Sequence, residues 1–189
     1  MKIVDIFAII KNSLLAVQFE GQDSDEFALL FNKWQDIEYL EQFFEDNISD
    51  LQNFYGDITV EEAVFRTVDE ASKMEAYIRR VAKSGRKNKY NTLQDLIFRP
   101  LSISDYSVKH LKSKAYGQGK LSWLRLYAIR IGPNLYVVSG GAIKLTKTMN
   151  DRNHLILELK KLEAAKAYLR ENGLFDEDDY EFFEISTHD

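Results

Sequence analysis

Lys144 and Lys147 stand three residues apart in the stretch SGGAIKLTKTMN, Ser139 to Asn150, with Thr146 and Thr148 beside them as hydroxyl donors. The preceding run LSWLRLYAIRI carries Arg125, which alternation places on one face with Trp123 and Tyr127, and Arg130, which falls on the other face. Lys109, Lys112, Lys114 and Lys120 come just before it. Cations grouped in this way can hold phosphates. The interleaved Tyr106, Tyr116, Trp123, Tyr127 and Tyr136 can stack on bases. The competing reading is plain: aromatics of a central strand belong to the core, and loop lysines are solvated. A Walker-type phosphate loop fits poorly, because GGAIKLT lacks the Gly-Lys step and Ile143 and Leu145 alternate like strand residues. As a strand, the segment turns Ile143 and Leu145 inward and Lys144 and Thr146 outward. Lys147 would then face the core, where an unpaired Lys is rarely found. The chain is therefore expected to leave strand geometry near Thr146, which brings Lys147 to the side of Lys144. Gly140-Gly141 would supply a bulge or twist at that end of the sheet.

Other reactive groups are sparse. The chain has no Cys, so it has neither disulfides nor thiolate chemistry. His110 reads as part of a solvated short helix. His154 begins the last helix, near enough to Lys147 to serve as a secondary acid/base candidate, and His188 lies in the tail. No two have ligand spacing, so no metal site is expected. The acids Asp176 to Asp179 could chelate a hard cation but read as a solvated acidic tail.

The formal net charge of −5 conceals three blocks: −10 over residues 1–80, +11 over 81–154 and −6 over 155–189. A basic middle between acidic ends suits either a polyanion partner or internal pairing of the blocks. The 189-residue length suits one domain, or one domain with an elaboration. Asp5 interrupts the apolar N-terminal run and no cleavage signature follows, so that run reads as a strand. No segment reaches the length of a membrane span, and a cytoplasmic location with no membrane partner is expected.

The elements that would position these residues follow from periodicity. MKIVDIFAII and SLLAVQFEG read as a hairpin about Lys11-Asn12. Phe27, Leu30, Phe31, Trp34, Ile37, Leu40 and Phe44 form a helical stripe, capped by Asp23 with Glu26, and either continuous or broken between Lys33 and Asp36. Thr59 and Glu62 form a capping box for a long helix whose stripe runs from Val60 to Val81 and ends at Gly85. KSGRKNKYN is a basic loop. TLQDLIFRPLS holds a short helix or strand, and SDYSVKHLKSKAYGQGK a short helix or turn. Strands flank the Gly132-Pro133-Asn134 turn. A helix with a Leu155, Leu159, Leu162, Ala165 and Leu169 stripe follows, with a last strand at Tyr180 to Ile185. The class is α+β: an acidic, mainly helical part with a short hairpin over residues 1–90, and a small antiparallel basic sheet with its closing helix over 91–189. The two parts can also form one compact unit.

The run from Trp123 to Asn172 resembles the C-terminal half of RelE/HigB-type toxin domains, over a quarter to a third of the chain. The matching pieces are Arg125-Leu126-Tyr127, the hairpin through Gly132, and Lys144-Leu145-Thr146-Lys147-Thr148. The acidic N-terminal half has no counterpart there, and Leu145 stands where the family often has a second Lys. The resemblance implies a toxin-antitoxin setting, an RNA or ribosome partner, and metal- and cofactor-independent endoribonuclease chemistry. In that chemistry the 2′-hydroxyl attacks the adjacent phosphate. It implies Arg125, Lys144 and Lys147 as catalytic cations, with Tyr127 or a lysine handling the proton. Lys112, Lys114, Lys120, Arg130 and Thr146 would contact nucleic acid, and Arg130 would add charge stabilisation. An antitoxin-like partner, or masking of the basic surface by helix 59–83, would restrain it. The alternative is a non-catalytic protein-interaction module whose acidic helices pair with its basic sheet.

Overall fold

The computed structural model of the protein describes residues 1–102, 110–119 and 121–183; Tyr106, Lys109, Lys120 and His188 lie outside them. Strands β1 (Ile3–Ile10) and β2 (Leu14–Phe19) form the expected hairpin. The stripe that follows breaks into α1 (Glu26–Lys33) and α2 (Ile37–Asp46). Asp25, not Asp23, caps α1 by accepting from the amides of Phe27 and Ala28, and Asp36 caps α2 by accepting from the Tyr39 amide. The break leaves Ile37 exposed. A short helix that periodicity did not single out, α3 (Ile48–Tyr55), precedes α4 (Val60–Gly85), where the Thr59–Glu62 capping box forms. Next come α5 (Leu93–Leu96), β3 (Arg99–Pro100), β4 (Leu111–Tyr116), β5 (Leu124–Gly132), β6 (Leu135–Ile143) and α6 (Asn153–Glu171).

The α+β class holds, but the sheet is neither small nor purely antiparallel. Its order is β1-β2-β6-β5-β4-β3, and Leu14 to Ala16 of β2 run parallel to Tyr136 to Val138 of β6. The boundary drawn between residues 90 and 91 therefore cuts through one sheet. It also cuts through one core, in which Leu14 and Phe44 join Trp123 and Leu126. Helices α1 to α5 cover one face of the sheet and α6 covers the other, where Tyr127, Ile129 and Val137 meet Leu155, Leu162 and Leu169.

Several local expectations change. Residues 111–116 form a strand, because Leu111, Ser113 and Ala115 alternate with Lys112, Lys114 and Tyr116. Trp123 is fully buried on the helical side between Phe44 and Tyr55, so it does not share the face of Arg125. Its indole N–H donates to Thr67 Oγ1 at 2.9 Å. His110 is buried, not solvated: its Nε2 lies 2.5 Å from the Leu174 carbonyl and its ring stacks on Phe175. A 3-10 turn spans Asp178–Phe182 where a strand was expected to begin.

Asn134, at the β5–β6 turn, fastens both layers. It accepts from the Leu93 amide at 3.0 Å and donates to Ser13 Oγ at 2.9 Å and to the Ala82 carbonyl at 3.1 Å. Asn134→Ala leaves a buried amide without an acceptor. The expected loss is about 2–3 kcal/mol, read as a lower urea midpoint at unchanged slope.

Candidate functional site

β4 and β5 place Lys114 opposite Tyr127 and Tyr116 opposite Arg125, and β6 places Ala142 opposite Arg125. All of these point to the α6 side. Strand β6 ends at Ile143; Leu145 still turns into the helical-side core, while Lys144 turns the other way. Beyond it the chain folds back. Lys144 Nζ donates to the carbonyls of Thr146 and Lys147, the latter at 2.7 Å. The Thr148 amide donates to Asp151 Oδ2 at 2.7 Å, starting a 3-10 turn over Met149–Asp151. Departure from strand geometry puts Lys147 on the same side as Lys144. Lys114, Tyr116, Arg125, Tyr127, Lys144 and Lys147 then line one cavity of about 310 Å³, closed by Leu101, Met149 and Leu159.

The nearest acidic charges are Asp151 for Lys144 and Glu70 for Arg125, both felt without an ion pair. Among the described residues, Lys114, Arg125, Lys144 and Lys147 make no ion pair with a carboxylate. Arg125 is held by two carbonyls: one of its terminal nitrogens donates to Ser122 O at 2.6 Å and Leu124 O at 2.8 Å. Its guanidinium carbon lies 4.2 Å from the Tyr116 ring centroid. Burial draws the Lys144 ammonium below its usual range, helped by the repulsion of Arg125 and Lys114 and opposed by Asp151. Burial also pushes the Tyr127 phenol well above its usual range, and its hydroxyl donates to Met149 Sδ at 2.8 Å. Tyr127 is therefore a neutral hydrogen-bond donor. Of Tyr127 and the cavity lysines, Lys144 has the direction of shift that suits a base.

The remaining candidates lie elsewhere. Lys112 is tied to Glu163 of α6 at 2.6 Å. Arg130 lies on the opposite face, donating to Gln94 Oε1 at 2.6 Å in a groove with Arg99 and Tyr136. Thr146 Oγ1 donates to the Thr148 carbonyl at 3.1 Å, so it shapes the loop. His154 contacts the Ile143 carbonyl at 3.1 Å and the Phe43 ring, away from Lys147. Asp179 accepts from the amides of Phe175 and Asp176. Among the described residues no three His, Cys, Asp or Glu side chains group as metal ligands. No described helix is long and apolar enough to cross a membrane. No residue of α4 lines the cationic cavity, and only two ion pairs among the described residues join the acidic N-terminal part to the rest: Asp50–Arg152 and Glu26–Lys161.

A larger cavity of about 580 Å³ opens between α1, α2 and α6, and periodicity did not reveal it. Its charges cancel one another: Lys161 reaches Glu26 at 2.8 Å and Glu158 at 3.0 Å. Glu26, Lys33, Tyr39, His154 and Lys161 all face this space with Glu158. The only sign in the sequence was a set of charges at positions of α1 and α6 that the stripes turn inward. Burial pushes Glu158 up to about 7, against the pull of Lys161. Between its ordinary 4.5 and about 7, the folded chain keeps a proton that the unfolded chain has lost. The stability contributed by Glu158 is thus complete below pH 4.5 and is lost as pH rises through 7. The span corresponds to roughly 3 kcal/mol. The expected result is that the unfolding free energy of the natural chain, relative to Glu158→Gln, falls across this window and is flat above it.

No protein-family model matches the chain, and neither does a curated protein or a solved structure.

Proposed function

We propose that the protein binds RNA through the cavity of Lys114, Arg125, Lys144 and Lys147 and cleaves it as a toxin-like, metal-independent endoribonuclease. The observation that carries this reading is the meeting of four cations, none ion-paired with a carboxylate among the described residues, with two tyrosines in one cavity. An anion supplies the missing charge, and a phosphodiester is an anion flanked by bases that Tyr116 can stack on. The resemblance of residues 123–172 to RelE/HigB toxins points the same way.

The chemistry needs a base, an acid and charge stabilisation. In its neutral form Lys144 uses two N–H groups on the Thr146 and Lys147 carbonyls, and its lone pair remains for the 2′-hydroxyl proton. The 2′-oxygen then bonds to phosphorus, the P–O5′ bond breaks, and the Lys147 ammonium protonates the departing 5′-oxygen. Arg125 and Lys114 stabilise the negative charge on the phosphorane oxygens. Tyr127, whose single O–H is given to Met149 Sδ, stays neutral and forms part of the cavity wall.

The test is incubation of the full chain with a short single-stranded RNA in EDTA. The expected products are a 2′,3′-cyclic phosphate and a 5′-hydroxyl end, with the matching DNA left intact for lack of a 2′-hydroxyl. Binding should weaken steeply with salt. Cleavage of the DNA, or salt-insensitive binding, would count against the reading.

A further inference from the structure

The basic segment at the end of α4 takes no part in the cavity. Six cations, Arg79, Arg80, Lys83, Arg86, Lys87 and Lys89, fall within eleven residues that contain no acid. Four of them, Arg79, Arg80, Lys83 and Lys87, line one shallow groove with Ala76 and Ser84. Positions 76, 79/80 and 83/84 share one face of α4, Lys87 continues the groove just past the helix end, and Ala76, Arg80, Lys83, Ser84 and Lys87 are exposed. Arg79 is shared with Glu75 at 2.8 Å, and Arg80 lies over Tyr77. Among the described residues Lys83, Arg86, Lys87 and Lys89 make no ion pair, and all four are exposed. Cations favour a helix C-terminus, but one or two satisfy that preference, and this segment carries six.

We propose that this stripe is a second RNA-backbone contact, so that the RNA bound is a folded one that reaches both sites. The inference rests on the RNA reading of the cavity and adds the class of RNA. Gly85, at the end of α4, packs on Asn134 at the β5–β6 turn, whereas the cavity sits at Arg125 near the other end of β5. Seven residues of strand separate Arg125 from Gly132, roughly 23 Å. The stripe also lies on the α4 side of the sheet and the cavity on the α6 side. A tetranucleotide cannot span both. Within α4, Arg79/Arg80 and Lys83 stand about one helical turn apart, roughly 5.4 Å, which is of the order of the spacing between neighbouring phosphates. The small Ala76 and Ser84 leave room for a backbone to approach. An acidic protein is the weaker match, because the stripe carries no large apolar residue to form the dry centre of a protein interface.

The test compares the full chain with a Lys83→Glu/Lys87→Glu/Lys89→Glu variant on two probes, a stem-loop RNA and a single-stranded tetranucleotide. These positions are exposed, and a melting curve checks that the variant is folded. The stem-loop affinity is expected to fall at least about 10-fold, and the slope of log affinity against log salt to shrink by roughly 2–3. Tetranucleotide cleavage should stay unchanged. Unchanged stem-loop affinity and slope would overturn the stripe as an RNA contact, as would retained RNA binding with lost binding to polyglutamate. If the cavity reading itself fails, Arg125→Ala will leave both probes unaffected, a result separate from any of these. Should the triple variant not fold, Lys87→Glu/Lys89→Glu, outside the helix, gives the same comparison with a smaller slope change.

Discussion

Arg125→Ala is expected to slow cleavage of a single-stranded RNA by about 100-fold or more, the loss typical when one preorganised donor to a developing oxyanion is removed. The guanidinium is already oriented by the Ser122 and Leu124 carbonyls and by the Tyr116 ring, so no reorganisation accompanies its use. Its remaining N–H groups form a planar fork suited to two phosphate oxygens, and Lys in its place should restore only part of the rate. Lys144→Met should be as severe and should also remove the rise of rate with pH. That rise follows from the sign of the shift: burial and Arg125 pull Lys144 down, and the base must lose its proton to act. Arg130→Ala is the control. It removes a cation of the same strand, but one facing Gln94 on the other side of the sheet, and the tetranucleotide rate should change less than about 2-fold. A parallel loss with Arg130→Ala would mean that overall charge, rather than the cavity, drives the reaction. A large drop in melting temperature for Arg125→Ala would mark that residue as structural.

Gly141→Ala is expected to lower stability by about 3 kcal/mol, at the upper end for overpacking a close-packed site. A Cβ there would lie 2.3 Å from Leu30 Cδ2 and 2.6 Å from the Arg125 carbonyl oxygen. The Leu30 methyl can swing aside, whereas the carbonyl belongs to the β5 backbone in the paired sheet. Adding Leu30→Ala should therefore recover only part of the loss. The variant should also impair RNA cleavage, because the strand that must shift is the one carrying Arg125. Urea unfolding of the two single variants and the double variant decides it: a loss below about 0.5 kcal/mol for Gly141→Ala would contradict this packing account. The neighbouring Gly140, at φ +151°, lets the Glu158 carboxylate approach in the same way, since a Cβ there would lie 2.1 Å from Glu158 Oε2. The Gly pair thus brings α1 and α6 close to β6. That role goes beyond the twist its sequence suggests.

Local rules made most of the elements legible in the sequence. The Thr59–Glu62 box, the stripe of α4 and the hairpins about Asn12 and Asn134 depend on residues close in the chain, and they form as their patterns require. The bend after Lys144 followed from one physical constraint, that an unpaired Lys does not enter the core. Errors arose where patterns were short or shared. LKSKAY alternates like a strand but is too brief and too basic to stand out from a turn. Trp123 sits just before β5, so its direction is set by burial against Phe44 and Tyr55 rather than by strand alternation.

The sequence by itself determined the α+β class, the cationic middle of the chain and the presence of residue types able to hold a phosphate, because composition and short-range periodicity are local properties. Tertiary structure alone decided which cations share one cavity. Pairing of β4 with β5 brought Lys114 beside Arg125, Glu163 took Lys112, and the pleat sent Arg130 to the far face. It also joined β2 to β6 in parallel across more than a hundred residues, merging the two expected parts into one sheet. Such contacts are set by burial and register between distant segments, and no spacing along the chain encodes them.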